Sequence, residues 1–393
     1  MIERGGLAPL VVQFARDLCR TRHTASARPA GAVDLLVRHY GEKLWRTAVQ
    51  RVQGPADPRA EALPVDDDRP LYWARLSLTR ELRQWQPSFP ASAATRAGWQ
   101  KHLEYASRGL TSSRFTVRPG GNPAPRRLFV SGFDPFGLDT QLRTGNPSGA
   151  SALHLDGRTI TVDGVQVQVQ AVVLPVRYPD FDEGIVEDAF GPHLRSDNLR
   201  SVRQRADLVS TTSQGRAGRF DLEVSNGRRR STLYPDNLNL WGGGTTTQPV
   251  EHPGVGPGPE FITTTLPTEA MQAAGTDGPF PVIVNSRVVE IPSGATTPVI
   301  RPDGPTEGSL AVEGGGGGYL SNESAYRVTR LLTTVTNPPP GGHLHLPVMS
   351  FGPGSTAITD PVFEKNRADI VAETEKILLA GFSSHADGRP NSR

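Results

Sequence analysis

Arg127-Leu-Phe-Val-Ser-Gly-Phe-Asp-Pro-Phe-Gly137 decides the fold. Arg127–Ser131 is a short apolar run of the buried-strand type, and it stops at a Gly/Pro-rich turn. Downstream, Thr159–Val176 alternates polar and apolar residues as strands do. It includes Val165-Gln-Val-Gln-Val-Gln-Ala-Val-Val-Leu-Pro175. A helix-compatible stretch, Asp180–Leu194, a strand over Ala206–Thr211 and a closing helix over Pro361–Ala380 complete the series. Strands alternating with helices predict a layered α/β domain.

Upstream, residues 1–117 read as helical. Val33, Leu36, Tyr40, Leu44, Trp45 and Val49 recur at three- and four-residue steps, as do Leu71, Leu78, Leu82 and Trp85. Pro58, Pro64 and Asp66–Asp68 separate the two segments, and Pro87 and Pro90 close the second. A third stretch, Ala93–Leu110, carries Trp99 and Leu103. Four of the five tryptophans lie in this region at helical spacing, which predicts core rather than a cofactor box. Residues 118–125 have the composition of a linker, 126–385 form the α/β domain, and 386–393 form a flexible tail.

Apolar residues make up 36% of the 393, with mean hydropathy −0.37, so a soluble chain is expected. The 42 Gly and 35 Pro predict long loops. No apolar run approaches the roughly 18 residues of a membrane span. Residues 1–125 carry 19 Lys and Arg against 11 Asp and Glu, a net +8; the remainder carries 23 against 29, a net −6. The basic charges are dispersed and lack interleaved stacking aromatics, so a solvated face is expected rather than nucleic-acid binding. Cys19 is the single cysteine and excludes an intrachain disulfide. The start of the chain has no clear secretory signal and carries Glu3, so a cytoplasmic location is expected, with secretion left open.

Chemistry concentrates in two segments. Gly314–Gly318 precedes Tyr319-Leu-Ser-Asn322 and an apolar-periodic helix, and Gly-Gly-His343-Leu-His345-Leu-Pro follows. Two readings of Ser321 stand: an N-cap, or a nucleophile whose oxyanion the helix N-terminus would stabilise. The glycine run is either a flexible linker or a place where backbone closely approaches something. His343 and His345 project to one face of an extended segment. His345 is the natural base for a hydroxyl that ionises poorly. A His-x-His metal pair lacks a third ligand with local support, so no metal or other cofactor is expected. A carboxylate would orient the imidazole, and Asp221 and Glu223 both qualify, one alternation apart. Phe133 and Phe136, three apart at the carboxyl end of the first strand, suit an apolar slot.

These segments resemble, in order, the pyroglutamyl peptidase I (pyrrolidone-carboxylate peptidase) family, cysteine exopeptidases that remove N-terminal pyroglutamate. Gly132-Phe-Asp-Pro-Phe-Gly137 with Asn146-Pro-Ser148 resembles the opening motif whose phenylalanines line the pyroglutamate pocket. Val173–Val176 resembles the next strand. Gly215–Glu223 with Tyr234-Pro-Asp-Asn237 resembles the segment of the catalytic Glu, and Thr264–Met271 the Ser-Thr-Leu-Pro stretch. Gly317–Asn322 and His343–Pro347 resemble the segments of the nucleophile and base. The resemblance implies a three-layer α/β/α fold with a mixed open sheet behind the helical region. It also implies a Ser321-His345-Glu223 site, with Phe133, Phe136, Asn146 and Tyr319 against a peptide or small amide substrate. Oligomerisation is left open, and neither nucleic acid nor membrane is an expected partner. Ser321 stands where the family has cysteine. The 282–291 region carries an extra strand-like pair, and Arg216 and Arg219 replace part of a glycine-rich substrate loop. A serine hydrolase and an inactive binding or scaffold protein on the same fold both fit.

Overall fold

The computed structural model describes residues 1–21, 29–56, 62–116, 124–195 and 204–383. The chain divides into two compact units, residues 1–113 with 357–359 and residues 114–356 with 360–393. Most of the linker expected at 118–125 and all of the tail expected at 386–393 lie outside the described residues.

Among the described residues the first unit holds four helices: α1 (Ala8–Thr21), α2 (Pro29–Gln53), α3 (Arg69–Gln84) and α4 (Ala93–Ala106). The predicted stripe of α2 is buried at Val33, Tyr40, Leu44 and Trp45. Phe14 of α1 meets Tyr40 edge-on, with ring centroids 5.3 Å apart. Trp85 and Trp99 are buried and lie 6.1 Å apart, so these tryptophans are core.

The second unit is built on a seven-stranded sheet. Its strands, in spatial order, are β10 (Val282–Asn285), β5 (Phe220–Glu223), β14 (Gly341–Leu346), β4 (Leu208–Gln214), β1 (Arg126–Phe133), β3 (Val165–Leu174) and β2 (Thr159–Val162). The central strands β3, β1, β4 and β14 run parallel; β2 is antiparallel to β3, and β5 is antiparallel to β14. The sheet is therefore mixed, as expected.

Alternation sorts residues onto two faces. Phe129, Val209 and Gly341 share one face, where Phe129 packs on Phe190 of α7 (Ile185–Leu194). The same face receives α9 (Leu320–Leu332), which packs on β4 and β14. The opposite face carries α5 (Pro147–Leu155) and α10 (Pro361–Ala380), with α8 (Thr268–Ala274) packed against α10. The second unit is thus a three-layer α/β/α arrangement.

Two expectations change in detail. The helix expected over 180–194 is two helices, α6 (Tyr178–Asp182) and α7, because Gly184 takes φ 83° between them. The strand pair around 282–291 is not a pair. β10 joins the main sheet beside β5, whereas β11 (Val288–Ile291) pairs with β12 (Val299–Arg301) and β13 (Leu310–Glu313) in a separate three-stranded sheet. Two further two-stranded ladders join β6 (Ser225–Gly227) to β9 (Phe261–Thr263) and β7 (Arg229–Arg230) to β8 (Val250–Glu251).

Candidate active site

The site lies at the carboxyl ends of the parallel strands, where open α/β sheets expose their strand-to-helix turns. Register fixes which side chains meet there. Thr211 pairs with His343 and Ser213 with His345 across β4 and β14. Glu223 pairs with His343 and Asp221 with His345 across β14 and β5. Alternation therefore puts a polar row, Thr211, Ser213, His343, His345, Asp221 and Glu223, on the face that α9 covers.

Within this row the carboxylate and imidazole meet diagonally rather than straight across. His345 Nδ1 lies 2.7 Å from Glu223 Oε1, and Asn285 Nδ2 donates to Glu223 Oε2 at 2.6 Å. Glu223 is fully buried and His345 is 5% exposed. Of the two acids left open by the sequence, Glu223 is therefore the one beside His345. Asp221 is equally buried but turns to Arg216 and Arg219.

His343 is locked beneath. Its Nδ1 is 2.7 Å from Thr211 Oγ1, its Nε2 is 2.9 Å from Ser213 Oγ, and its ring meets that of His345 edge-on at 4.5 Å. Burial first, and His345 second, push its pKa well below the ordinary histidine value. A neutral His343 spares His345 a like charge at van der Waals distance. Among the described residues, no group of three or more His, Cys, Asp or Glu side chains could hold a metal ion.

Ser321 is the second residue of α9. The N-cap position belongs to Tyr319, whose side chain makes no cap bond. The Ser321 hydroxyl donates instead to the Gly316 carbonyl at 2.9 Å. The glycine run before it is a close-packed wall. A methyl group at Gly315 would overlap Glu223 Oε2, so only glycine lets this backbone pass the carboxylate.

The first turn of α9 is anchored by buried charge. Glu323 receives Arg230 Nε at 2.6 Å and Arg327 Nε at 2.9 Å. Burial alone would raise the Glu323 pKa; its neighbours His252, Arg230 and Arg327 bring it below the usual carboxylate range. Asn322 adds a reciprocal pair with Gly227, accepting its N–H and donating to its carbonyl, each at 2.8 Å. The helix end that carries Ser321 is thereby held rigidly.

Phe133, Phe136, Asn146, Tyr319 and Ser321 line one cavity, together with Ser213, Gln214, Val176 and Leu320. Ser213, the register partner of His345, thus links the cavity to the histidine strand. Phe133 is itself core, stacked on Phe181 at 6.0 Å, whereas Phe136 and Tyr319 are half-buried with centroids 6.4 Å apart. Asn146 caps α5, accepting from Ser148 N at 3.1 Å, and donates to the Asp134 carbonyl at 2.9 Å, so it also braces the loop holding Phe136. The sequence reading did not identify Ser213, Gln214 or Asn285; their only sequence signal is position at a strand's carboxyl end.

The second unit thus carries a buried Glu–His pair beside an aromatic-walled cavity on its three-layer α/β/α frame. Two family models match the chain, the PA0049 N-terminal domain over residues 1–104 and the PA0049 C-terminal domain over residues 127–241 and 280–350. The Pseudomonas aeruginosa strain PAO1 protein PA0049, described as uncharacterized, is 33% identical over 461 residues, covering 95% of this chain and 82% of that one. The chain belongs to the PA0049 family. Among solved structures, it is similar to the pyrrolidone carboxyl peptidase of Thermococcus litoralis, with 16% identity, TM-score 0.44, and coverage of 68% of this chain and 98% of that one. A mutant of the Pyrococcus furiosus pyrrolidone carboxyl peptidase gives 19% identity, TM-score 0.42, and coverage of 65% and 97%. The pyroglutamyl peptidase I of Bacillus amyloliquefaciens gives 16%, 0.41, and 65% and 97%. The architecture described above rests on this chain's own strand order and register. No described helix is long and apolar enough to cross a membrane.

Proposed function

We propose that this chain is a hydrolase that releases N-terminal pyroglutamate, or cleaves a related amide, through Ser321, His345 and Glu223. One observation carries the reading. A fully buried Glu223 oxygen lies 2.7 Å from His345 Nδ1, at the sheet's carboxyl edge. A buried carboxyl group without hydrogen-bond donors is costly, and here Asn285 and the imidazole that a hydroxyl nucleophile requires both contact it.

In this reading a side-chain rotation takes the Ser321 hydroxyl from the Gly316 carbonyl to His345 Nε2. Oγ attacks the amide carbon while Nε2 takes the proton. The resulting oxyanion is met by first-turn N–H groups of α9, which have no intrahelical acceptors. The C–N bond then breaks as His345 returns the proton to the departing amine. Water, deprotonated by the same imidazole, cleaves the acyl ester and restores Ser321. Glu223 keeps Nδ1 protonated and orients the ring throughout. Phe136 and Tyr319 would hold the flat lactam ring.

The test is hydrolysis of a pyroglutamyl aminocoumarin amide by wild type, Ser321→Ala and His345→Ala. Turnover in wild type and its loss in both variants supports the proposal; equal rates in all three reject it. A second reading, a non-catalytic binding protein, is favoured by the 2.9 Å bond from Ser321 to Gly316. It predicts binding of pyroglutamyl amides by wild type, measured calorimetrically, with no turnover.

A further inference from the structure

The turn from β4 to β5 carries two arginines that the proposed reaction does not use. Arg216 Nη1 donates to Asp221 Oδ2 at 2.7 Å, and Arg219 Nε lies 3.0 Å from Asp221 Oδ1. Asp221 is fully buried, whereas the two arginine side chains remain 39% and 38% exposed. One sealed carboxylate thus fixes two guanidinium groups whose remaining N–H donors face solvent. Each guanidinium has five donors, and Asp221 engages only part of each fork.

The location ties this pair to the site. Asp221 is the register partner of His345. Arg216 Nη1 also lies 3.8 Å from Glu223 Oε1, the same oxygen that His345 Nδ1 contacts. The cavity that Ser213 and Gln214 line at the end of β4 is walled by aromatic and neutral groups, Phe136 and Tyr319 among them. A substrate with its flat, neutral end in that cavity would pass its other end toward the arginines.

We propose that Arg216 and Arg219 form a carboxylate-binding subsite, so that preferred ligands carry an acid on the residue following the pyroglutamyl group. The orientation of the ligand rests on the function proposed above; the anion site itself does not. Planar guanidinium forks suit a carboxylate, and pre-fixing by Asp221 reduces the ordering cost of binding. Asp221 acts only as a positioning residue here.

Full-length Ser321→Ala protein, which cannot acylate, is titrated calorimetrically with pyroglutamyl-aspartate amide and with pyroglutamyl-asparagine amide. The pair differs in one charge. A second pair, pyroglutamyl-alanine and its amide, separates a side-chain acid from a terminal one. At least one acidic ligand should bind about 10- to 100-fold tighter than its neutral partner, the size expected of charge-assisted hydrogen bonds. Arg219→Gln added to that background should erase the preference and leave neutral-ligand affinity within about threefold. Equal binding within both pairs, or a preference that survives both Arg216→Gln and Arg219→Gln, overturns the subsite. If no pyroglutamyl ligand binds, the proposed function fails. The arginines are then read with N-acetyl-aspartate amide against N-acetyl-asparagine amide: binding of the acidic compound alone keeps the subsite, and binding of neither removes it.

Discussion

Glu223→Gln isolates the pair on which the site depends. The carboxylate accepts at both oxygens, from His345 Nδ1 at 2.7 Å and from Asn285 Nδ2 at 2.6 Å, with no exposure to water. Glutamine keeps the shape but offers one acceptor oxygen, so one of the two donors loses its partner. A buried donor left unmatched costs about 1–3 kcal/mol, which guanidinium unfolding would read as a lowered midpoint at unchanged slope. Catalysis should suffer more, because the amide no longer holds the imidazole in the required tautomer. An effect on the order of 10⁴ in kcat is expected, the size found when a triad carboxylate becomes an amide. Asp221→Asn is the control, since it lies on the same face of the same strand but is bound to arginines. On a neutral pyroglutamyl amide it should lose less than about tenfold in kcat, being outside the catalytic hydrogen bonds. A Glu223→Gln enzyme within about tenfold of wild type, or an Asp221→Asn enzyme that is the more impaired, would refute this assignment.

Other outcomes follow from the same geometry. Gly315→Ala pushes a methyl into Glu223 Oε2; it should destabilise by about 1–3 kcal/mol, as overpacking does, and abolish turnover in the same preparation. Arg230→Met leaves buried Glu323 short of its bidentate partner, and about 3–5 kcal/mol of unfolding free energy should be lost. His343→Phe strands the Ser213 hydroxyl, whereas that of Thr211 keeps the Gly342 carbonyl at 3.3 Å; a loss of about 1–3 kcal/mol is expected by denaturant titration. Glu373 is buried, and burial pushes its carboxyl up to about 7. The folded state therefore binds the proton more tightly than the unfolded chain. This contribution to stability is present at low pH and fades as pH rises from the ordinary glutamate range through about 7. Wild type should lose stability between pH 5 and pH 8 relative to Glu373→Gln, and parallel pH profiles would contradict it.

Much of the fold could be read from local pattern because local pattern causes it. Tyr40, Leu44 and Trp45 are buried at helical spacing, and α10 runs from Pro361 to Ala380, the span read for the closing helix. Ser321, Asn146, Phe136 and Tyr319 were grouped through the family resemblance, and they line one cavity. What was not legible is set by pairing between distant segments. Nothing near 282–291 says that β10 goes to the main sheet while β11 goes to another, since both are short apolar runs. The choice between Asp221 and Glu223 depends on β5 running antiparallel to β14, which turns a one-residue question into a matter of register. The Glu323–Arg230–Arg327 cluster joins residues 93 positions apart, and each looks like a surface charge in isolation. Asp67, read only as part of a break between helices, is sealed in an ion pair with Arg69.

The proposed reaction requires that His345 activate the Ser321 hydroxyl. Labelling with a fluorophosphonate, followed by peptide mapping by mass spectrometry, measures this without knowledge of the natural substrate. A single adduct on Ser321 in wild type, absent in His345→Ala, is the predicted result. No adduct, an adduct elsewhere, or equal labelling of Ser321 in both proteins would contradict it.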